Sequence, residues 1–303
     1  MSGTSPFTKW ARGQGDTLRA AYMTARAAMH LPDHLSRRRI VAGMNPSGPC
    51  RVADEDGYRA FERGTFPEAV EAAADAQRAL AQVDAVLNER RQLKRRKQFL
   101  VNLLEPDSVT PDHPLVRLSL RSDLLEGISV YMRTVPLLRS IQVFYSGAAE
   151  RDLTSSQLYH CDADDGRQLK IFVLCSDVAR PNGPLTILDA DRSQRVRQAV
   201  GYGYHQRLTD EQVEKVVGNH QPFELVGSPG AVCLVDTSRC FHYGSRVEPG
   251  AAPRLVAMVQ YLSPFAFVLP KGPRAGASLA HLDHPGLNPL QRAVLTGDAR
   301  RAS

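Results

Sequence analysis

Two histidines and one aspartate stand in an order that can hold a metal ion. His160 and Asp162 form a His-x-Asp pair, and His242 comes later in the chain. In an extended strand the side chains at i and i+2 leave the same face, so the pair can point at one spot. Residues 227–242 predict a turn, an apolar strand at 231–235 and a second turn that ends at the later histidine. We therefore interpret these three residues as candidate metal ligands.

A chance match is the competing interpretation of a His-x-Asp pair. The chain carries a second copy at His281 and Asp283, near its end and among glycines and prolines. No apolar run surrounds that copy, whereas the copy at His160 is followed by the strand-like run Leu169–Leu174. We expect the second copy to be the chance match, a choice that the motif alone leaves open.

The residue types then indicate the chemistry. Two imidazoles and one carboxylate on one side of a metal leave the opposite positions open, which suits non-haem Fe(II) oxygenases. Arg254 opens the apolar run 254–262, beyond the last candidate ligand. The planar fork of an arginine can hold a carboxylate through two parallel hydrogen bonds, which a lysine cannot do. An arginine on a strand near such a metal predicts a dicarboxylate cosubstrate.

Four segments in this order resemble the phytanoyl-CoA dioxygenase-like family of Fe(II)- and 2-oxoglutarate-dependent oxygenases. They lie within residues 130–265 and read YHCD, LKIFVLCSDVARPNGPLTIL, GSPGAVCLVDTSRCFHYGS and Arg254. The resemblance implies that three residues bind Fe(II), namely His160, Asp162 and His242. It also implies that Arg254 binds the distal carboxylate of 2-oxoglutarate.

The activity implied by this resemblance is that of a dioxygenase. Such an enzyme uses Fe(II), 2-oxoglutarate and dioxygen to oxidise, usually to hydroxylate, a C–H bond of a small molecule, and it forms succinate and carbon dioxide. The alternative is a jelly-roll binding or regulatory protein that has lost turnover, which loss of iron binding would favour. One departure concerns residues 189–193, where DADRS replaces the family's common Pro-Gly-Ser-His. The role of that loop therefore does not carry over, and no motif identifies the substrate.

Lys170 and Gln157 are further candidates for cosubstrate binding, because both lie near the motif on predicted strands. Lys170 can pair with a cosubstrate carboxylate, or it can form a structural ion pair with the nearby Asp164 or Asp165. Gln157 can contact a ligand or be an ordinary strand residue. The sequence leaves both choices open.

The net charge of +6 comes from one short run. Residues 90–97, RRQLKRRK, hold six basic residues and no acid, so the rest of the chain is balanced in charge. Such a run can bind nucleic acid through phosphate contacts, but at the end of a helix it is also typical of a solvated face that complements the helix dipole. We favour the solvated face and expect a small-molecule substrate, with neither nucleic acid nor membrane as a partner.

The chain has five cysteines, an odd number, and no Cys-x-x-Cys pair. No disulfide framework is therefore predicted. The N-terminus lacks an apolar core of signal-peptide length, and no apolar run has the length of a membrane span. We therefore expect a cytoplasmic protein. The length of 303 residues is compatible with one domain, residues 1–303. The oligomeric state is not predicted.

The expected fold is mainly β with α additions: a double-stranded β-helix (a cupin-like jelly roll) with N-terminal helices packed on one sheet. We expect a mainly helical part at residues 1–130, a jelly-roll catalytic core at 131–265 and a C-terminal tail at 266–303. Short apolar runs separated by turns predict strands in the core. These strands are 141–145, 157–160, Leu169–Leu174, 185–188, 223–226, 231–235 and 255–262.

Helical patterns support this architecture. Thr65 and Glu68 form a capping-box pattern at the start of one predicted helix, and an apolar stripe follows at helical spacing. Further helices are predicted at Asp16–Met29, 119–131 and 289–295. Residues 191–217 predict helical pieces in an excursion across the barrel mouth, with a second capping-box pattern at Thr209 and Gln212. Inserted segments of this kind often cover binding sites.

Overall fold

The computed structural model describes residues 16–45, 47–80, 100–104, 109–148, 153–269 and 276–299. In these ranges two antiparallel sheets face each other. The larger has the strand order β1-β7-β4-β9-β3-β2 and the smaller the order β6-β5-β8. The strands are β1 (Tyr58–Phe61), β2 (Leu100–Asn102), β3 (Leu137–Ser146), β4 (Leu169–Leu174), β5 (Leu185–Ile187), β6 (Phe223–Leu225), β7 (Val232–Val235), β8 (His242–Tyr243) and β9 (Arg254–Leu262).

Helices cover the outer face of the larger sheet and join its strands. The helices are α1 (Asp16–Met29), α2 (Leu31–Ala42), α3 (Pro67–Ala79), α4 (Pro114–Ser119), α5 (Ser122–Met132), α6 (Ala190–Val200), α7 (Asp210–Val217) and α8 (Pro289–Thr296). Helix α3 packs on β4 and β9, and helices α4 and α8 pack on β3. None of the helices in the described ranges combines the length and the apolar composition of a membrane span.

The two faces of the larger sheet have different environments, which β9 shows residue by residue. Leu255, Ala257, Val259 and Tyr261 are at most 1% exposed and belong to the apolar core beneath the helices. The alternate residues Arg254, Val256, Met258 and Gln260 are 4 to 8% exposed, and they face the smaller sheet. Since strand side chains alternate between faces, this second set lines the space between the two sheets, which is called the cleft below.

The fold is a jelly roll, or double-stranded β-helix, with helical additions, as the sequence predicts. Leu174 and Val256 of the larger sheet share an apolar cluster with Leu185, Ile187 and Leu225 of the smaller one. That cluster closes one part of the space between the sheets. The cleft occupies the remainder, and facing sheets of this kind commonly enclose ligand cavities.

Several strands differ from the prediction. The N-terminal part supplies both edge strands, β1 and β2, and β8 is a strand of only two residues that carries a candidate ligand. The predicted strand at residues 157–160 is wrong at its start, because Ser155–Gln157 forms a 3-10 helix. Only isolated antiparallel bridges follow, from Tyr159 to Leu208 and from His160 to His242. These bridges join distant parts of the chain and leave no local pattern.

The helix predicted to begin at Thr65 begins instead at Pro67, with Phe66 as its N-cap and no side-chain cap. The capping-box prediction was therefore wrong, and the reason is that Glu68 accepts hydrogen bonds from Arg121 rather than from its own backbone. The continuation of this helix and the basic run at 90–97 lie outside the described residues. Helix α2 was not predicted, although its first turn contains the proline that such a position tolerates.

The excursion at residues 191–217 forms helices α6 and α7, as predicted. Thr209 caps α7 and makes the predicted capping box with Gln212. Asp189, in the segment that departs from the family pattern, caps α6 by accepting a hydrogen bond from the backbone of Arg192. That segment therefore has a local structural role.

Candidate metal centre and cosubstrate pocket

The two candidate histidines lie directly opposite each other on neighbouring backbone segments. The backbone N–H of His160 donates to the carbonyl of His242 at 3.1 Å, and the reverse hydrogen bond is 3.0 Å long. Side chains of such a pair leave the same face of a sheet. The two ring centroids are accordingly 4.3 Å apart. A pairing between distant chain segments thus brings the imidazoles together.

Each imidazole is fixed in one tautomer by its own backbone. Nδ1 of His160 lies 2.9 Å from the carbonyl oxygen of Leu158, and Nδ1 of His242 lies 3.0 Å from that of Cys240. A carbonyl oxygen only accepts, so Nδ1 carries the proton in both rings and Nε2 offers a lone pair. This second-nitrogen hydrogen bond is the usual support of a metal-bound histidine.

Both free nitrogens face Asp162. Its carboxylate oxygens lie 3.8 Å from Nε2 of His160 and 3.8 Å from Nε2 of His242. The three ligand atoms all lie within 4.8 Å of one another, and in the described part of the chain these residues form the one histidine, cysteine or carboxylate cluster with metal-ligand geometry. The backbone of Asp162 is held by a 2.7 Å hydrogen bond to the carbonyl of Thr237.

The protonation states suit a divalent cation. Burial, helped by the neighbouring imidazole, lowers the pKa of His160 to about 3, and burial also lowers the pKa of His242. Burial opposes ionisation of Asp162, but Lys170 and the imidazoles together hold the pKa of this carboxyl well below its usual range. Two neutral imidazoles and an ionised carboxylate are the donor set of a facial Fe(II) site. The residues present therefore fit the metal.

Lys170 contacts the metal triad itself. From β4 its ammonium donates a 2.7 Å hydrogen bond to one carboxylate oxygen of Asp162. Lys170 therefore pairs with Asp162 and not with Asp164 or Asp165, the partners that the sequence suggested for a structural ion pair. The role of Lys170 in cosubstrate binding stays a prediction, while the observed contact orients Asp162, a candidate metal ligand.

Arg254 is a buried cation without an acidic partner in the described residues. Its Nη1 donates to the carbonyl of Gly183 at 2.7 Å and its Nη2 to Oγ of Ser245 at 2.8 Å. Its Nε is buried with no hydrogen-bond partner, and burial lowers the pKa of the guanidinium to about 10. An uncompensated buried charge is costly. A ligand carboxylate would compensate both the charge and the unused donor.

The backbone beyond His242 is shaped around this guanidinium. A Cβ atom on Gly244 would lie 3.1 Å from Nη1 of Arg254, so a residue without a side chain leaves the arginine its space. Ser245 has a φ of 62°, in the left-handed region that residues with a side chain rarely adopt. A strained residue that contacts a buried cation is typical of a binding site. Neither residue was predicted to have a role, although both stand in the Tyr-Gly-Ser segment that begins directly after His242.

Gln157 holds this strained residue in place. Its amide nitrogen donates to the carbonyl of Ser245 at 2.9 Å, while its amide oxygen accepts from the backbone of Thr154 at 3.1 Å. The side chain of Gln157 is therefore engaged with backbone on both ends. Its predicted role in cosubstrate binding stays a prediction, and the observed contacts make it a support for the Arg254 pocket.

The second His-x-Asp copy lies elsewhere. His281 is exposed in the 3-10 helix Ala280–Leu282, and Asp283 pairs with Arg292 at 2.9 Å. This copy is not part of the metal-ligand cluster in the described residues.

The sequence matches no protein-family model and no curated protein. Among solved structures, it is similar to EctD from S. alaskensis with 2-oxoglutarate and 5-hydroxyectoine (19% identity, TM-score 0.47, 74% of this chain and 80% of that chain). It is also similar to HygX from Streptomyces hygroscopicus with nickel and 2-oxoglutarate bound (14% identity, TM-score 0.45, 70% and 85%). A third similar structure is the non-heme alpha ketoglutarate dependent epimerase SnoN from nogalamycin biosynthesis (16%, TM-score 0.41, 69% and 79%).

Proposed function

We propose that this chain is an Fe(II)- and 2-oxoglutarate-dependent dioxygenase that oxidises, by hydroxylation, a C–H bond of a small-molecule metabolite. The observation that carries the proposal is the combination of two sites on one jelly roll. One is the triad of His160, Asp162 and His242, whose ligand atoms converge within 4.8 Å. The other is the buried Arg254, whose Nε has no partner.

Each residue of the two sites has a task in this proposal. When bound at the triad, Fe(II) would supply the redox chemistry that couples loss of carbon dioxide from 2-oxoglutarate to oxidation of the substrate. Arg254 binds the distal carboxylate of 2-oxoglutarate through charge-assisted hydrogen bonds. Phe144 and Phe172 on the inner face of the larger sheet are partly buried, and we assign them the task of limiting the access of water to the cleft.

We also propose membership of the phytanoyl-CoA dioxygenase-like family, on the basis of the ordered motifs at His160, His242 and Arg254. A single catalytic domain is supported by contacts of the N-terminal helices with the rest of the chain. Arg26 of α1 donates to the carbonyls of three residues, and Arg37 of α2 donates to the carbonyls of Val135 and Gly297. The five cysteines are buried free thiols, which supports a cytoplasmic location.

Anaerobic titration with Fe(II) and 2-oxoglutarate, followed by exposure to dioxygen, tests the proposal. We expect succinate to form only when iron is present, and a metabolite collection that contains the substrate should accelerate its release. His242→Ala should form no succinate. If iron does not bind and 2-oxoglutarate is not consumed, the chain is instead the binding or regulatory protein.

A further inference from the structure

The bridge between Tyr159 and Leu208 determines the position of Arg207. The backbone groups of this pair exchange two hydrogen bonds of 3.0 and 2.9 Å. In an antiparallel register the next pair is residue 160 with residue 207, so Arg207 stands across from His160. Leu208 lies with Tyr159 in a buried apolar cluster. Because side chains alternate between faces, Arg207 is on the same face as His160.

Arg207 therefore extends the row of the two histidines. His160 has His242 on one side, through its own bridge, and Arg207 on the other. Burial is the largest cause that lowers the pKa of each imidazole, Asp162 acts in the opposite direction, and the nearby charge of Arg207 lowers both pKa values. The excursion at 191–217 thus places Arg207 next to His160 in this cross-strand row.

This guanidinium has no carboxylate partner among the described residues. Its Nη1 donates only to backbone carbonyls, those of Gln206 at 2.7 Å and Tyr204 at 3.4 Å, and the side chain is exposed. The neighbouring acid on α7, Asp210, is already held by Arg246 through hydrogen bonds of 2.7 and 2.8 Å. Arg207 can therefore bind an incoming anion without breaking an ion pair.

Lys170, the other cation beside the triad, differs in this respect. Its ammonium is bound to Asp162 at 2.7 Å, so its charge is used by a metal ligand. Arg254 is buried in the cosubstrate pocket proposed above. Of these three cations in the described part of the site, Arg207 is the exposed one, at the position where a substrate would approach the triad.

We infer that the substrate carries an anionic oxygen group, a carboxylate or a phosphate, which Arg207 binds beside the metal triad. This inference rests on the proposed function and names its substrate class. The guanidinium presents a planar fork of donors that fits either group. The anion is held next to His160, so the C–H bond to be oxidised lies close to the charged end of the substrate.

The test uses the full-length protein loaded anaerobically with Fe(II) and saturating 2-oxoglutarate. Binding of both is measured first in the wild type. Acetate and phenyl phosphate are then titrated as the two anionic probes, with acetamide and phenol as their uncharged counterparts. Arg207→Gln is compared with Arg195→Gln, a matched control, because Arg195 is exposed on α6 in the same excursion.

We expect at least one anionic probe to bind more tightly than its uncharged counterpart. Arg207→Gln should weaken that binding by about tenfold or more, as for a lost charged hydrogen bond, whereas Arg195→Gln should not change it. The preferred probe decides between a carboxylate and a phosphate. Equal anion binding by the wild type and Arg207→Gln, or no preference for charge, would overturn the inference and leave the proposed function standing. Failure of the wild type to bind iron or 2-oxoglutarate would overturn both.

Discussion

The inner and outer faces of the larger sheet are built from the same strands but have different compositions. On β4, Ile171 faces the helices and is fully buried, while Lys170 and Phe172 on either side face the cleft and are partly exposed. The outer-face residues of β4 and β9 belong to the apolar core, whereas the inner face of β9 also carries Arg254 and Gln260. This difference indicates a division of tasks: the outer face supplies stability, and the inner face gives up some packing to hold the site.

The largest effect is expected on the inner face, at Arg254. Arg254→Gln removes the charge that would bind the distal carboxylate, and loss of one partner of such a pair costs about 2 to 5 kcal/mol. The dissociation constant of 2-oxoglutarate, measured calorimetrically on the metal-loaded protein, should rise by orders of magnitude. Arg254→Lys keeps the charge but not the fork and should recover only part of the affinity. An unchanged constant in Arg254→Gln would place the carboxylate elsewhere.

On the outer face, a truncation should affect stability alone. Ile171→Ala leaves a cavity under α3 and should lower the free energy of unfolding by about 2 to 5 kcal/mol, with the affinity for 2-oxoglutarate unchanged. Phe172→Ala, one residue along and on the other face, should lower stability less because this ring is already partly exposed. Denaturant unfolding and calorimetry on both variants check the contrast. Weaker 2-oxoglutarate binding by folded Ile171→Ala would contradict the division of tasks.

A smaller effect is expected at Lys170, where substitution distinguishes between orientation of Asp162 and binding of 2-oxoglutarate. If it orients Asp162, Lys170→Met should weaken Fe(II) binding by about 10- to 100-fold, as for other partners of metal ligands. The affinity for 2-oxoglutarate at saturating metal should then stay close to that of the wild type. A higher 2-oxoglutarate dissociation constant with unchanged metal affinity would instead support the role in cosubstrate binding that the sequence suggested.

The smallest effect is expected at the second His-x-Asp copy. His281 is exposed and outside the ligand cluster, so His281→Ala should change the free energy of unfolding by no more than about 0.5 kcal/mol. Succinate formation should be that of the wild type. A loss of iron-dependent turnover in this folded variant would show that iron binds at the copy that contains His281.

Features that depend on local patterns could be predicted from the sequence. Leu169–Leu174 was predicted with its observed bounds, since an apolar run between turns is sufficient to mark a strand. The convergence of His160, Asp162 and His242, which the His-x-Asp pattern predicted, is present in the structure.

Features that depend on pairing between distant segments could not be predicted. Nothing near Tyr159 indicates that its partner is Leu208, so the position of Arg207 beside the triad had no sequence signal. The partner of Lys170 could not be predicted either, because several acidic residues are close to it in sequence. Lys170 pairs with Asp162 because β4 lies next to the 160–162 segment in the fold. Register between strands is decided by the packing of whole faces.

Equilibrium Fe(II) titration under anaerobic conditions tests whether the triad of His160, Asp162 and His242 binds one metal ion. Wild type and His281→Ala should each bind one Fe(II) per chain with the same affinity. In His242→Ala the dissociation constant of Fe(II) should rise by more than about a hundredfold. This exceeds the loss expected when a residue that only hydrogen-bonds to a metal ligand is changed. Wild-type affinity in folded His242→Ala would show that iron does not bind at this triad.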